Sequence, residues 1–169
     1  MVLKNVTRGE LADFAKDKAG VAFYKGANSW QIADQIDCAF PCARQNELNG
    51  DDAAYLLKHG CTLVGEGANM PSTPDAIEAF VNAKIMYSPG KASNAGGVAT
   101  SGLEMSQNSG RLSGTAEDVD AKLKGIMQAI HDNAWAAAEK YGHKGNYVMG
   151  ANIAGFTKVA DAMLAQGVV

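Results

Sequence analysis

The sequence predicts an α/β fold in which short strands and helices alternate up to residue 93 and helices alone follow. Two observations support this prediction. In the first half of the 169 residues, short apolar runs alternate with segments of helical periodicity, which is typical of a parallel sheet with helices on its faces. From residue 94 onward there is no run of strand type, and apolar residues recur every three or four positions.

Four apolar runs are the candidate strands, at residues 21–24, 36–40, 61–64 and 85–87. Each run is continuous rather than alternating, which predicts strands that are buried on both faces, as in a parallel sheet. Pro41 ends the second run.

Helical periodicity and capping residues predict six helices, at residues 7–18, 51–59, 71–82, 95–112, 115–141 and 151–166. Thr7 is expected to be the N-cap of the first helix, and Ser72 or Thr73 the N-cap of the third. Gly60 directly follows the second helix, where glycine favours the backbone conformation of a helix end. Pro74 is expected near the first position of the third helix.

The helix predicted at 115–141 has the clearest amphipathic pattern. Thr115 and Asp118 resemble a capping box, with Asp in place of the usual Glu. Beyond them one face of the helix is apolar, and we expect this face to lie in the core. The residues of that face are Val119, Leu123, Ile126, Ile130 and Ala134.

Four short strands with crossover helices make only part of a doubly wound, Rossmann-like sheet. A complete dinucleotide-binding fold has a Gly-rich turn after its first strand and an acidic residue about 20 positions later. Neither occurs here, because Gly65 and Gly67 lack a third glycine and do not lead directly into a helix. The sequence therefore predicts the later half of a doubly wound parallel sheet followed by a long helical C-terminal segment. We expect one truncated domain over 1–169, with alternating strands and helices at 1–93 and helices at 94–169.

Composition excludes several classes of function. The 15 Lys and Arg residues against 18 Asp and Glu residues give a net charge of −3, so no basic field is available to bind nucleic acid. No apolar run of about 18 residues occurs, which excludes a membrane-spanning helix. The 3 cysteines are an odd number, which argues against a disulfide framework, and the first residues do not form a signal peptide. We therefore expect a cytoplasmic protein.

Cys38 and Cys42 raise the question of a metal site. Their spacing is C-x3-C, whereas zinc sites prefer C-x2-C pairs and four ligands, and His59 and Cys61 do not complete such a pattern. We therefore expect no bound metal and interpret the cysteines as small, buried, apolar residues at strand ends. An enzyme that uses Cys38 or Cys42 as its nucleophile is an alternative that insensitivity to alkylation would exclude.

Segments rich in Gly, Ala and Asn follow three of the predicted strands, at residues 41–47, 65–71 and 88–97, and a fourth such segment lies at 150–155. In open α/β sheets, ligands bind beyond the carboxyl ends of the strands. Small residues there let a ligand contact the backbone, and an asparagine amide both donates and accepts hydrogen bonds. These segments predict a nucleotide-like ligand.

Four strings of residues identify a family. They are Gly-Glu-Gly-Ala-Asn-Met-Pro-Ser-Thr at 65–73, Pro-Gly-Lys-Ala-Ser-Asn-Ala-Gly-Gly-Val at 89–98, Ser-Gly-Leu-Glu-Met-Ser-Gln-Asn at 101–108, and the segment 150–167. Together they resemble the hexameric, NADP-type glutamate dehydrogenases, and the resemblance extends over essentially the whole chain. It implies that the chain is the C-terminal part of the coenzyme-binding domain, with the substrate domain absent.

The resemblance implies roles for five residues. Asn69 and Asn94 match family positions that contact the coenzyme, and Ala43 lies in the loop that lines the coenzyme cleft. Ser101 matches the serine that binds a carboxylate of glutamate or 2-oxoglutarate, and Val98 lines the same pocket. Without the resemblance, the two asparagines can be ordinary turn residues, since Asn tolerates the left-handed conformation. The serine can be a helix residue whose hydroxyl bonds to its own backbone. The implied coenzyme is NADP, and NAD is not excluded.

The implied activity is the interconversion of L-glutamate with 2-oxoglutarate and ammonium by a homo-oligomer, which is a hexamer in the full-length family. The family's catalytic Lys and Asp lie upstream of the first residue here, so no catalytic residue is assigned and this chain alone is expected to be inactive. Two positions depart from the family. Arg44 stands where Thr is usual, and Gly114 stands where Trp is common.

A hypothesis of a different class stays open, namely a non-catalytic module that binds a nucleotide or self-associates. Exposed apolar area distinguishes the two hypotheses. A self-sufficient module covers its apolar helix faces, whereas a segment of a larger enzyme leaves a large apolar surface exposed.

Overall fold

The computed structural model describes residues 9–16 and 18–167 and divides the chain into two compact units, Met1–Ala33 and Asp34–Val169. The second unit contains a small parallel sheet and long helices in its C-terminal half, so the predicted α/β fold class is confirmed. None of the described helices is both long enough and apolar enough to cross a membrane.

The first unit contains little regular structure among its described residues. Helix α1 covers Leu11–Lys16, and a single 3-10 turn covers Ser29–Gln31. The side chain of Asn28 caps this turn by accepting a hydrogen bond of 3.1 Å from the backbone N–H of Trp30. Helix α1 is shorter than the predicted helix, whose expected N-cap Thr7 lies outside the described residues.

The strand predicted at residues 21–24 is wrong. These residues form no strand, and the side chains of Val21, Phe23 and Tyr24 are exposed. The backbone hydrogen bonds near these residues are those of turns, such as the bond of 3.3 Å from the N–H of Val21 to the carbonyl of Lys18. A strand needs a second strand for its ladder, and none of the described residues pairs with this run. An apolar run does not by itself supply that partner.

Three of the four predicted strands are confirmed, and they pair in parallel in the order β1-β2-β3. Val64 lies at the centre of the sheet, opposite Ala39 on one side and Tyr87 on the other, and all three side chains are buried. Each strand has only two or three residues, so the ladder is shorter than the apolar runs. The strands are β1 at Cys38–Ala39, β2 at Leu63–Gly65 and β3 at Met86–Ser88.

Two helices connect these strands, α2 at Gly50–Lys58 and α3 at Pro74–Asn82. Helix α2 begins with a capping box, in which the Asn49 side chain accepts from the N–H of Asp52 at 3.1 Å and the Asp52 carboxylate accepts from the N–H of Asn49 at 3.1 Å. Gly60 follows α2 with a φ of +94°, as its position predicts.

Helix α3 begins three residues later than predicted. Thr73 is its N-cap and Pro74 is its first residue, so the capping prediction is confirmed. The two helices pack against each other, and α3 also contacts β3.

The core of the second unit combines side chains from the sheet, α2 and α3. The ring of Phe80 is fully buried and stacks on that of Tyr87, with 5.6 Å between the ring centroids. Aliphatic side chains fill the space around this pair. The buried residues of this part include Ala39, Leu48, Ala53, Leu56, Cys61, Val64, Ala76, Phe80 and Tyr87.

The C-terminal half is helical, as predicted, but its elements differ in detail. The helix predicted at 95–112 forms at Gly96–Gly110, after a separate short helix at Gly90–Ser93, and the helix predicted at 151–166 begins four residues earlier. The Asn146 side chain caps the earlier start by accepting from the N–H of Met149 at 3.0 Å. The helices are α4 at Gly90–Ser93, α5 at Gly96–Gly110, α6 at Ala116–Lys140 and α7 at Tyr147–Gln166.

Helix α6 begins at the predicted cap, where the Thr115 hydroxyl accepts from the N–H of Asp118 at 3.1 Å. Its predicted apolar face packs against α5 and α7, and it is half-buried rather than part of the deep core. Only Ala134, at the end of that face, is buried.

Helices α6 and α7 approach each other closely at Gly150. An ideal Cβ atom at this position would collide with the carbonyl oxygen of Ala134 and would lie 3.1 Å from the Cβ of Ala138. Glycine is therefore required here for packing, since the neighbouring backbone leaves no room for a methyl group.

We expect Gly150→Ala to lower the free energy of unfolding by about 1–3 kcal/mol, because the added methyl group forces α6 and α7 apart. Gly155→Ala in the same helix is the matched control. It should raise the free energy of unfolding by about 0.5–1 kcal/mol, because nothing lies within 4 Å of its Cβ position and alanine favours the helix. Urea unfolding followed by circular dichroism measures both values. Equal effects of the two substitutions would contradict the close approach.

Candidate functional site

Three loops meet at the carboxyl edge of the sheet, because parallel strands all end at the same edge. The first loop, residues 40–49, follows β1, and the second loop, residues 66–73, follows β2. The third loop, residues 89–95, follows β3 and includes the short helix α4. The predicted ligand-binding segments that follow the strands thus lie at one edge.

The first and second loops are joined by backbone hydrogen bonds. The N–H groups of Gly67 and Ala68 both donate to the carbonyl of Pro41, each at 3.0 Å. Further along, the N–H of Asn46 donates to the carbonyl of Met70 at 3.0 Å. The side chain of Cys42 lies directly against Gly67, where a Cβ atom would collide with its sulfur.

The second and third loops also make close contact. An ideal Cβ at Gly90 would lie 2.6 Å from the carbonyl oxygen of Ala68 and 2.8 Å from that of Asn69, so only glycine allows this approach. The side-chain amide of Asn94 donates to the carbonyl of Gly67 at 2.7 Å. The third loop therefore packs directly on the backbone that carries Asn69.

A buried carboxylate lies between the second and third loops. Glu66 is 3% exposed, and its Oε1 and Oε2 atoms accept hydrogen bonds of 2.6 Å from the Tyr87 hydroxyl and from the N–H of Gly90. Burial, and next the hydrogen bond to Glu66, raise the pKa of the Tyr87 hydroxyl, so that it stays protonated and donates at physiological pH. Glu66 escapes prediction from the sequence, and its position between two glycines after a buried strand is the only local signal.

The three residues with an implied coenzyme role all lie in these loops. Asn69 is exposed, and its side chain makes no hydrogen bond within the described part of the chain, so both its donor and its acceptor are available. Ala43 is exposed, and its N–H donates to the Glu47 carboxylate at 2.8 Å. Asn94 is half-buried and fixed by its bond to Gly67. The structure brings these residues to one edge, and their role stays a prediction.

The two residues with an implied substrate role lie on α5. Val98 is 73% exposed, and Ser101 is exposed with its hydroxyl donating to the carbonyl of Gly97 at 3.3 Å. Asn94, Val98 and Ser101 are spaced by four and three residues, so they follow one stripe along this nearly continuous helical stretch. No described hydrogen bond joins Val98 or Ser101 to the first or second loop, and their role also stays a prediction.

Two cations lie near this edge. The ammonium group of Lys91 donates to the side chain of Asn152 at 2.7 Å and thereby ties the third loop to α7. Arg44 is exposed, and its backbone N–H lies 3.3 Å from the Glu47 carboxylate. Among the ion pairs of the described residues, none involves the Arg44 guanidinium, so this charge is available to an anion.

The interpretation of all three cysteines as buried residues is wrong for two of them. Cys38 and Cys42 are exposed, because Cys38 belongs to a strand of two residues at the edge of the sheet and Cys42 lies in the loop that follows it. Cys61 is buried, and burial raises the pKa of its thiol. Within residues 9–16 and 18–167, no group of three or more His, Cys, Asp or Glu side chains is arranged to bind a metal ion.

Comparisons with known proteins place this fold in a family. Residues 1–167 match the family model described as Glutamate/Leucine/Phenylalanine/Valine dehydrogenase. The NADP-specific glutamate dehydrogenase of Giardia intestinalis is 55% identical over 170 residues, which are 100% of this chain and 38% of that protein. The NAD(P)-specific glutamate dehydrogenase of Xylanibacter ruminicola is 55% identical over 172 residues, which are 99% of this chain and 37% of that protein.

A solved structure agrees with these relatives. The crystal structure of Plasmodium falciparum glutamate dehydrogenase matches 100% of this chain and 36% of its own, with a TM-score of 0.92 and 45% identity. The chain therefore spans just over a third of the length of the relatives it matches. The resemblance to glutamate dehydrogenases is confirmed over that span. Since the family model covers nearly the whole sequence, this chain belongs to the glutamate/leucine/phenylalanine/valine dehydrogenase family.

Proposed function

We propose that this chain is the later half of the coenzyme-binding domain of an NADP-dependent glutamate dehydrogenase. The complete enzyme converts L-glutamate, NADP⁺ and water into 2-oxoglutarate, ammonium, NADPH and a proton, and also catalyses the reverse reaction. The observation that supports the proposal is the carboxyl edge of the sheet, where three interlocked loops present Asn69 and Asn94. Ligands of open parallel sheets bind at this edge.

The chemistry of this edge fits a dinucleotide. The Asn69 amide has a donor and an acceptor available to a ribose or carboxamide group, and the backbone around Ala43 is exposed. The Arg44 guanidinium adds a positive charge for a phosphate group. We propose NADP as the coenzyme and retain NAD, since the two relatives are named NADP-specific and NAD(P)-specific.

We assign substrate binding to the exposed stripe of α5. The Ser101 hydroxyl exchanges its bond of 3.3 Å to Gly97 for a shorter bond to a substrate carboxylate, which is the better acceptor. The methyl groups of Val98 lie one helical turn away and pack against the aliphatic part of the substrate. The nicotinamide, when bound, supplies or accepts the hydride. The residues that polarise the carbonyl and transfer the proton belong to the substrate domain, outside these 169 residues.

Exposed apolar helix faces support the interpretation as a segment of a larger homo-oligomer, which we propose is a cytoplasmic hexamer. Large apolar side chains on α5 and α7 are exposed to solvent, and such faces mark surfaces that another part of a protein covers. The same observation favours the second candidate, a self-associating module without catalysis. The residues concerned are Val98, Met105, Phe156, Val159, Met163 and Leu164.

We expect the isolated 169-residue chain to show no oxidation of NADPH in the presence of 2-oxoglutarate and ammonium, because it supplies no catalytic Lys or Asp. Absorbance of NADPH measures the rate, and a full-length relative serves as the positive control. Turnover by the isolated chain would refute the assignment of catalysis to residues outside it.

Coenzyme binding is tested by alkylation of the intact enzyme of which we propose this chain is a segment. Cys42 lies against Gly67, beside Asn69, so bound NADPH should shield its thiol from iodoacetamide. At an NADPH concentration of about ten times its Kd, the rate should fall about tenfold, because only the unbound fraction reacts. Cys38 is also exposed but precedes the first loop, and its rate should not change. Mass spectrometry follows both sites, and equal rates at Cys42 with and without NADPH would exclude binding at this edge.

Substrate binding is tested by Ser101→Ala in the same enzyme. Loss of one hydrogen bond to a charged group should raise the KM for 2-oxoglutarate about tenfold or more, with the KM for NADPH unchanged. Ser106→Ala is the matched control, since its hydroxyl also donates to a carbonyl four residues earlier, at 2.9 Å, and it lies about 140° around the helix from Ser101. Equal KM values for the two variants would remove Ser101 from the substrate site.

A further inference from the structure

Glu66 is a buried acid that is held by hydrogen bonds. Its side chain is 3% exposed, and no ion pair among the described residues includes it. Burial of a carboxylate is unfavourable unless hydrogen bonds replace the lost water. Both oxygens receive such bonds, one from the Tyr87 hydroxyl and one from the N–H of Gly90, each at 2.6 Å.

These bonds join two segments that are distant in the sequence. Besides its side-chain bonds, Glu66 donates its backbone N–H to the carbonyl of Ser88 at 3.2 Å. Its own carbonyl accepts a bond of 2.6 Å from the Ser93 hydroxyl. Glu66 is therefore bonded to the end of β3 and to both ends of α4.

The parts that Glu66 joins carry the two asparagines of the proposed coenzyme site. Gly90, which donates to the carboxylate, packs on the carbonyl groups of Ala68 and Asn69. Asn94, directly after α4, donates its side-chain amide to the carbonyl of Gly67. A displacement of α4 would therefore change the distance and orientation of Asn94 relative to Asn69.

We propose that Glu66 is a positioning residue for the coenzyme, whose carboxylate sets the spacing between Asn69 and Asn94 by holding the second and third loops together. This inference rests on the proposed coenzyme site at the carboxyl edge of the sheet. Glu66 does not contact the coenzyme, because it is buried and both of its oxygens are engaged within the protein. Glu66 instead affects how well the spacing of Asn69 and Asn94 matches the dinucleotide.

A pair of substitutions in the intact enzyme separates geometry from charge. Glu66→Asp keeps the charge but is shorter by one methylene group, so it cannot reach both Tyr87 and Gly90. Glu66→Gln loses the charge but keeps the length, so that its oxygen accepts from Gly90 and its amide donates to the Tyr87 oxygen. Tyr87→Phe removes one of the two bonds and leaves the carboxylate in place.

We expect Glu66→Asp to raise the KM and the Kd for NADPH about tenfold or more, because the bond that holds the two loops at the spacing required by the coenzyme is lost, and such a bond to a charged group is worth at least that factor. Glu66→Gln should stay within about threefold of the wild type, since it retains both contacts. The KM for 2-oxoglutarate should not change in either variant. Steady-state kinetics and NADPH fluorescence measure these values, and thermal unfolding is recorded for each variant.

Several results would overturn the role of Glu66. Unchanged NADPH affinity in Glu66→Asp overturns it, and so does a lower melting temperature with no change in the KM for NADPH. If Glu66→Asp raises the KM for NADPH and the KM for 2-oxoglutarate equally, the substitution distorts the whole protein. If Glu66→Gln loses as much NADPH affinity as Glu66→Asp, the length of the side chain is not the property that matters. If Glu66→Asp does not fold, Tyr87→Phe decides, since it should raise the KM for NADPH and an unchanged value refutes the proposal.

Failure of the coenzyme site itself gives a different result. In that case NADPH does not protect Cys42 in the wild-type enzyme, and the role of Glu66 falls together with the site. Where Cys42 is protected but Glu66→Asp binds NADPH normally, the site stands and only the role of Glu66 is overturned.

Discussion

The parallel direction of three very short strands is the constraint on which the rest of this structure depends. Strands of two or three residues contribute few ladder bonds, so the sheet relies on what is attached to it. Because all three strands end at the same edge, the loops that follow them must share the space there. The backbone bonds from the second loop to Pro41 and the side-chain bonds around Glu66 stabilise the sheet at that edge. The same bonds shape the surface on which we place the coenzyme.

Local sequence information predicts most of the helices, because their signals lie within one or two turns. Thr73 with Pro74 and Thr115 with Asp118 mark helix starts that the structure confirms. The strand at 21–24 fails for the opposite reason, since a strand depends on a partner that its own residues do not specify. Helix α7 begins four residues before its predicted start, and Gly150 lies in its first turn, where it allows close packing against α6.

The candidate site also has some features that the sequence predicts and others that it does not. The clustering of Ala43, Asn69 and Asn94 at one edge follows from strand direction, and so it is predictable once the strands are recognised. The partners of Glu66 lie 21 and 24 residues away in the sequence, so its local position between two glycines does not indicate which groups it bonds. The exposure of Cys38 likewise follows from the edge position of β1, and that of Cys42 from the loop after it, neither of which residue type reveals.

The glycines at positions 67 and 150 both accommodate a close neighbour. They differ in whether a second substitution elsewhere can compensate for their replacement. At Gly67 the obstacle is the side chain of Cys42, so a smaller residue at position 42 makes room for a larger one at position 67. At Gly150 the obstacle is the main-chain carbonyl of residue 134, which every amino acid carries. A second-site change can therefore compensate for substitution at Gly67. At Gly150, even removal of the Ala138 Cβ, which would lie 3.1 Å from an added Cβ, leaves the carbonyl in place, so a substitution there must shift a whole helix. The first pair of positions is free to covary, and position 150 is not.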